Sequence, residues 1–455
     1  MRPAYDRRVQ RKRGSLNLAL IVGKHWKQYI AWKEGKVRHG VFSHVRRMLS
    51  CRTPKLGLTL YRCTSCDAVR VVPHSCKSVA CPSCGKVRTD QWCKELLSDI
   101  IDTAYRHLVF TLPWQLRLPI YDNRDRLLQV LFRAATDAVL SLTTGNPAPL
   151  GRKSQEWLAG RMKKRRKKRG RGRRRRSFVP GIIAVLHTFG SDLKWNPHIH
   201  MIVTAGGLSP DGARWIAGAK RYLVPAPLLG TEWKLRVIEG IRRMHEQERL
   251  QCRRLRSDRR RRVDIDKLLG HVRKQRWRIL IGPSLRTADQ AVRYACRYSK
   301  RPVIAEWRLL NFRNRYVTFR FKDYHRGGAV GVKTLPVLVF MDRVFQHLPD
   351  ANFRNVRQYG LFSTRRRGTS LPKARQLLAQ RKKRQPSPTT WEQRRKAAGE
   401  KRPLSCPRCG NEMVLWCLLF GHPDLLAQVL KLQSSEERVP PNTIMRRADF
   451  KKVAA

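Results

Sequence analysis

Residues 181–207 read GIIAVLHTFGSDLKWNPHIHMIVTAGG. Two apolar runs flank the turn-like SDLKWN, and together they predict an antiparallel hairpin. On a strand, residues i and i+2 project to the same face. His198 and His200 therefore point at one spot, close enough to share a metal ion. His187, near the end of the first run, is placed to face them as a third ligand. Strand histidines are also often ordinary core or surface groups, so the pair needs a partner elsewhere in the chain to mean more.

That partner stands about ninety residues on. Thr287-Ala288-Asp289-Gln290 fits a capping box, with Thr287 as N-cap and Gln290 three residues later. The helix it opens is expected to run to about Lys300, ahead of Pro302. At about 100° per residue, Ala288, Val292, Ala295, Cys296 and Ser299 form a small-residue packing stripe. Tyr294 and Tyr298, spaced i,i+4, fall on another face, flanked by Arg293, Arg297 and Lys300, cations suited to holding phosphate. A tyrosine can act as a covalent nucleophile. Its attack on a DNA phosphodiester would leave a phosphotyrosine and a free hydroxyl, retaining the bond energy needed to rejoin the strand without ATP. A divalent ion on the histidines would polarise the phosphoryl oxygen.

Charge points to the same substrate. Lys and Arg number 98 against 32 Asp and Glu, a formal net charge of +66 over 455 residues. Such an excess calls for a polyanion, and nucleic acid rewards each phosphate contact with counterion release. The runs RMKKRRKKRGRGRRRR (161–176) and CRRLRSDRRRR (252–262) concentrate it. The first can bury nothing and reads as a surface insertion. No stretch approaches the roughly 20 apolar residues of a membrane span, and SLNLALIVGKHW (15–26) is too short and polar for a secretory segment. The expected setting is cytoplasmic, on the bacterial nucleoid, with no membrane partner.

In that compartment the 12 cysteines read as metal ligands rather than disulfides. Cys63-x-x-Cys66 and Cys81-x-x-Cys84 are two knuckles, enough for a closed, architectural tetrahedral zinc site. Cys76 lies between them, with His74 before it and Cys51 upstream, so six cysteines exceed one site. Lys55, Arg62, Arg70, Lys77, Lys86 and Arg88 give the module a DNA-binding character. The tail holds Cys406, Cys409, Cys417 and His422, which could form a second, cramped site of its own. The expected organisation is a basic helical segment (1–50), a zinc module (51–93), a globular domain (105–365), a basic linker (366–405) and the tail (406–455).

The combination resembles the two-tyrosine HUH transposases of rolling-circle insertion sequences, the insertion sequence 91 type, in which HUH denotes His-hydrophobic-His. The resemblance spans Cys51 to Arg367. It is carried by the cysteine cluster, VFTLP (109–113), NPHIHMIVTAGGLSPDGARW (196–215), YACRYSKRPVI (294–304), VTFRFKDY (317–324) and VRQYGLFSTRRR (356–367). It departs from the pattern in HSCKSVACPSC (74–84), where an Asn before the Ser and an Arg-His before the second knuckle are expected. The resemblance implies an α+β fold: an antiparallel sheet with flanking helices, plus an N-terminal zinc-binding module. It implies single-stranded DNA of mobile-element ends as substrate, Tyr294 and Tyr298 as nucleophiles forming 5′-phosphotyrosine links, and Mg²⁺ or Mn²⁺ on His198 and His200.

Three other readings stand beside it. A plasmid replication initiator or relaxase shares the chemistry, but no GxxxxGK[ST] loop points to a fused helicase or a nucleotide cofactor. A zinc-dependent DNA binder without catalysis needs only the charge and the cysteines. An acid-triad transposase needs a carboxylate cluster, and acidic residues are scarce.

Overall fold

The computed structural model describes residues 16–146, 177–218, 224–251, 264–298, 302–323, 326–383, 387, 390–397, 399–435, 437–440 and 443–450. The basic runs at 161–176 and 252–262 lie outside the described residues. Two helices, Leu18–Trp32 and His39–Leu49, precede the hairpin of β1 (Leu58–Cys63) and β2 (Ala68–Pro73). Helix Gly85–Asp99 leads into β3 (Tyr105–Thr111), and helix Arg124–Thr144 precedes β4 (Gly181–Phe189) and β5 (Trp195–Thr204). A small pair, β6 (Gly206–Leu208) and β7 (Trp215–Ala217), is followed by helices Ala226–Glu246 and Ile265–Lys274. Then come β8 (Ile279–Leu285) and the tyrosine helix, Ala288–Tyr298. β9 (Leu309–Arg313), β10 (Tyr316–Asp323) and β11 (Ala329–Pro336) make a three-stranded sheet. Helix Val337–Phe345 and β12 (Val356–Gly360) follow, and the tail contributes β13 (Met413–Leu419) and β14 (Ile444–Arg446).

The central sheet has the order β12-β4-β5-β3-β8, antiparallel throughout. Both faces are covered, and strand alternation sorts the residues between them. Ile182, Ala184 and Leu186 of β4, Ile199, Met201 and Val203 of β5, and Leu108 and Phe110 of β3 join one core. That core is closed by Leu127, Leu131 and Ala135 of helix Arg124–Thr144 and by Trp233, Val237 and Ile241 of helix Ala226–Glu246. The alternate residues, among them Ile183, Val185, Ile202 and Tyr105, face the tyrosine helix, whose Ala288, Ala291, Val292, Ala295 and Cys296 are buried against them. Small side chains let this helix lie close to the sheet. The antiparallel sheet with flanking helices is the α+β arrangement that the resemblance implies.

The tail does not stand apart. β13 pairs with β1 and β14 with β2, giving a four-stranded sheet in the order β13-β1-β2-β14. Residues from the two ends of the sequence thus form one sheet.

Candidate active site and metal centres

The register of β4 against β5 sets His187 directly opposite His198 and Val185 opposite His200. All three histidines share the face that the tyrosine helix covers. The ring centroids of His187 and His198 are 5.1 Å apart, those of His198 and His200 4.9 Å, and those of His187 and His200 5.7 Å. One ring nitrogen from each lies within 4.8 Å of the others. The His198 Nδ1 is 2.7 Å from the Asn196 carbonyl. A carbonyl only accepts, so Nδ1 carries the proton and Nε2 presents its lone pair.

A fourth histidine completes the group. His107 on β3 places Nε2 3.0 Å from the His200 Nδ1, with the two rings stacked. When His200 donates this bond, its own Nε2 is left for an ion. His107 is almost fully buried. Gly282 on β8 makes room for its ring: a Cβ there would stand 2.6 Å from the His107 Nδ1. His107 precedes the VFTLP stretch (109–113), and nothing in the sequence around it marks it as part of the site. The signal that would have found it is the pairing of β3 with β5, which periodicity does not supply.

Burial keeps these rings neutral. It pushes His187 down to about 3 and His107 to about 4. Burial also lowers His198 and His200, with neighbouring histidines adding to the effect at His200, and the Arg117 guanidinium adding to it at His198 against the upward pull of the Asn196 bond. Neutral imidazole is the metal-binding form, so the cluster is ready to bind across the physiological range. Three converging imidazoles fit a divalent transition ion. No carboxylate joins the group among the described residues, and such a donor set suits Mn²⁺ better than Mg²⁺, which prefers oxygen.

The tyrosine helix begins as expected. The Gln290 backbone N–H donates to the Thr287 hydroxyl at 3.3 Å. The Gln290 side-chain oxygen accepts from the Arg286 N–H at 2.8 Å, one residue earlier than the usual reciprocal bond. Tyr294 is half-buried, and its ring lies 4.4 Å, centroid to centroid, from that of His107. Tyr294 is therefore one ring removed from His200. Arg293 pairs with Asp289 at 2.6 Å, four residues back on the exposed face. Tyr298 ends the helix as described. Its side chain and that of Arg297, and the whole of Lys300, lie outside the described residues. One pair departs from the reading of cysteines as ligands rather than disulfides: Cys93 of helix Gly85–Asp99 is bonded to Cys296, tying that helix to the tyrosine helix.

Among the described residues, eight cysteines form two groups of four, not one. Cys51, Cys76, Cys81 and Cys84 converge, all buried. Cys63 and Cys66 converge with Cys406 and Cys409 instead. The two knuckles expected to close on one ion are thus separated, and the hairpin is the reason. Cys63 and Cys66 stand at its closed end. Cys51 and Cys76 flank its open end, where the Arg52 N–H donates to the His74 carbonyl at 3.0 Å. Six residues of β1 at about 3.3 Å each put roughly 20 Å between the two ends. His74 is not among the grouped residues and hydrogen-bonds the Leu56 carbonyl and the Thr59 hydroxyl. Cys417 and His422, expected to join the tail cysteines, are not grouped with them either; Cys417 lies on β13 opposite Leu60.

Comparison with known proteins agrees with this architecture. Residues 181–369 match the family model described as a putative transposase, and residues 21–112 match that of a transposase zinc-binding domain. The chain is 30% identical over 408 residues to the transposase for insertion sequence element IS801 of Pseudomonas savastanoi pv. phaseolicola, covering 86% of each chain. It is 29% identical over 331 residues to a putative transposase, y4qJ, of Sinorhizobium fredii, covering 72% of this chain and 76% of that one. No solved structure matches it. The fold, the histidine cluster and these relatives define a DNA-acting transposase with a zinc-binding domain. The chain belongs to the rolling-circle transposases of the IS91 type, the family of the IS801 enzyme. No helix among the described residues is long and apolar enough to cross a membrane.

Proposed function

We propose that this transposase cleaves and rejoins single-stranded DNA at the ends of its element through phosphotyrosine intermediates, with Tyr294 and Tyr298 as nucleophiles. One observation carries the reading: Tyr294, His107, His200, His198 and His187 follow one another, ring to ring, on one face of the sheet.

His187, His198 and His200 hold the divalent ion, which when bound supplies Lewis-acid polarisation of the phosphoryl oxygen. His107 orients His200 by accepting its Nδ1–H. The tyrosine oxygen forms a bond to phosphorus as the bond to the 3′ oxygen breaks; the phenol loses its proton and the departing 3′ oxygen gains one. A 3′-hydroxyl attacking the phosphotyrosine reverses the step and frees the tyrosine. Two tyrosines four residues apart on one helix let a single site hold two strand ends. Arg293, Arg297 and Lys300 hold the flanking phosphates. The exposed Asp289 partner of Arg293 is a weak competitor, since such pairs contribute about 0–1 kcal/mol. Cys51, Cys76, Cys81 and Cys84 hold a structural zinc, and a closed four-thiolate site leaves no position for catalysis. The protein works on the nucleoid, where its substrate lies.

The test uses purified protein, labelled single strands from the element's ends, and Mn²⁺ or Mg²⁺, resolved on denaturing gels. A labelled band at protein size, lost with EDTA and in the Tyr294→Phe/Tyr298→Phe double variant, is expected. Adducts surviving in the double variant would refute the assignment. DNA shifted on native gels with no covalent product would favour a zinc-dependent binder without catalysis.

A further inference from the structure

The two family matches end at residues 112 and 369, and neither reaches Cys406 or Cys409. We propose that Cys63, Cys66, Cys406 and Cys409 form a second structural zinc site, a clasp that joins the tail of the chain to its N-terminal zinc-binding domain.

The four sulfurs stand at the spacing of a four-thiolate site, all within 4.8 Å of one another. Cys63 Sγ lies 3.4 Å from Cys409 Sγ, and Cys66 Sγ lies 3.7 Å from both Cys406 Sγ and Cys409 Sγ. Four thiolates about 2.3 Å from a zinc ion stand about 3.8 Å from one another. A disulfide would need about 2.05 Å. The bonds around both loops fit the same purpose. The Ser65 N–H donates to Cys63 Sγ at 3.4 Å, turning the first loop around its sulfur. In the second, the Cys406 N–H donates to the Asn411 carbonyl at 2.7 Å and the Gly410 N–H to the Cys406 carbonyl at 2.9 Å. Gly410 has φ +77°, a turn that a side chain would strain.

The two loops are held face to face. β1 pairs with β13 from Leu58↔Leu419 to Cys63↔Met413, so each loop hangs from the same end of a paired strand. The Thr64 N–H donates to the Glu412 carbonyl at 3.1 Å. Arg408 pairs with Asp67 at 2.8 Å, and Arg70 donates to the Ser405 carbonyl at 3.1 Å. The sheet's main core, with Leu58, Leu60, Val69, Val71 and Leu419, is a separate cluster from the one at the loops. Among the described residues, the apolar cluster at the loop end holds four buried residues, Cys63, Ala68, Cys406 and Met413, two of them proposed ligands. A patch that small gives the two loops little packing of their own, and metal is a common crosslink in such places. The crosslink closes a span of 346 residues between Cys63 and Cys409.

The two sites differ in access. The Cys51 group is wholly buried, whereas Cys409 is exposed. The clasp therefore loses its ion to a chelator first, freeing the Cys406–Cys409 loop while the strand pairing of the tail and the Cys51 site persist.

The experiment measures zinc in the purified full-length chain by elemental analysis. Two zinc ions per chain are expected, falling to one in the Cys406→Ser/Cys409→Ser variant and staying at two in Cys417→Ser, whose thiol is on β13 but outside the group. Two ions retained in the double variant, or one ion in both it and the unmodified chain, would overturn the proposal. Should the double variant aggregate, timed alkylation of the unmodified protein with peptide mass spectrometry decides. Cys63, Cys66, Cys406 and Cys409 should be protected together and become reactive together on chelation, before Cys51, Cys76, Cys81 and Cys84. Cys406 and Cys409 reacting freely while Cys63 and Cys66 stay protected would refute the clasp and leave the zinc-binding domain itself untouched.

Discussion

Replacing His107 by Ala tests whether the fourth histidine serves the metal centre or merely fills space. The bond it makes to the His200 Nδ1 is 3.0 Å long, and both rings are buried, at 1% and 7% exposure. Water is poorly placed to replace it. A neutral hydrogen bond contributes about 0.5–1.5 kcal/mol net, and a buried donor left unpaired costs about 1–3 kcal/mol. With about 1.4 kcal/mol per tenfold, the loss corresponds to about 10–100-fold in metal affinity, the range typical of residues that orient metal-bound histidines. The assay is the Mn²⁺ concentration giving half-maximal covalent adduct. In His107→Ala it should rise about 10–100-fold, with much of the adduct yield recovered at saturating Mn²⁺. His107→Gln, whose carbonyl can accept the same proton, should recover most of the affinity. A purely structural role would lower the melting temperature without moving the half-saturating Mn²⁺. An unchanged half-saturation in a folded His107→Ala protein would refute the reasoning.

Two further outcomes follow from burial. His107 is held at about 4, and His187 and His347 at about 3, all by desolvation, while unfolded histidine titrates near 6.5. Below about 6.5 the unfolded chain therefore binds more protons than the folded one, so this stability is present above that pH and lost as pH falls toward 4. The slope is at most about 1.4 kcal/mol per pH unit for each histidine. Metal-stripped protein should melt at steadily lower temperature from pH 7 to 5, and a flat profile would contradict the depressed values. Trp233→Ala should cost about 3–5 kcal/mol in urea denaturation. The indole is fully buried, packs 5.2 Å from the Phe110 ring and donates to the Thr111 carbonyl at 3.3 Å. A loss under 1 kcal/mol would mean that the core around it collapses to fill the space.

Much of the candidate site is legible because it is local. Alternation in residues 181–207 gave the hairpin, and a register that pairs His187 with His198 follows from the turn between them. The stripe on the tyrosine helix is legible for the same reason: Ala288, Val292, Ala295 and Cys296 are buried, Ser299 lies outside the described residues, and Ala291 joins the buried set because a helix lying this close to a sheet buries a wider strip than one row. Tyr294, off that stripe, sets its ring against that of His107 on the sheet.

What the sequence withheld is who meets whom across long separations. His107 and His200 are 93 residues apart, Cys93 and Cys296 are 203 apart, and Cys63 and Cys409 are 346 apart. A CxxC loop states that it can offer two sulfurs on one side of a turn; it does not state which other loop completes the tetrahedron. Nearness in sequence favoured Cys81 and Cys84 as partners of Cys63 and Cys66, yet the hairpin between them is stiff and extended and drives the two pairs to opposite ends. The same strand that separates them offers its free edge to β13, and that pairing brings Cys406 and Cys409 to the closed end. The grouping of the cysteines is a consequence of strand order, so it becomes legible only once the sheet is known.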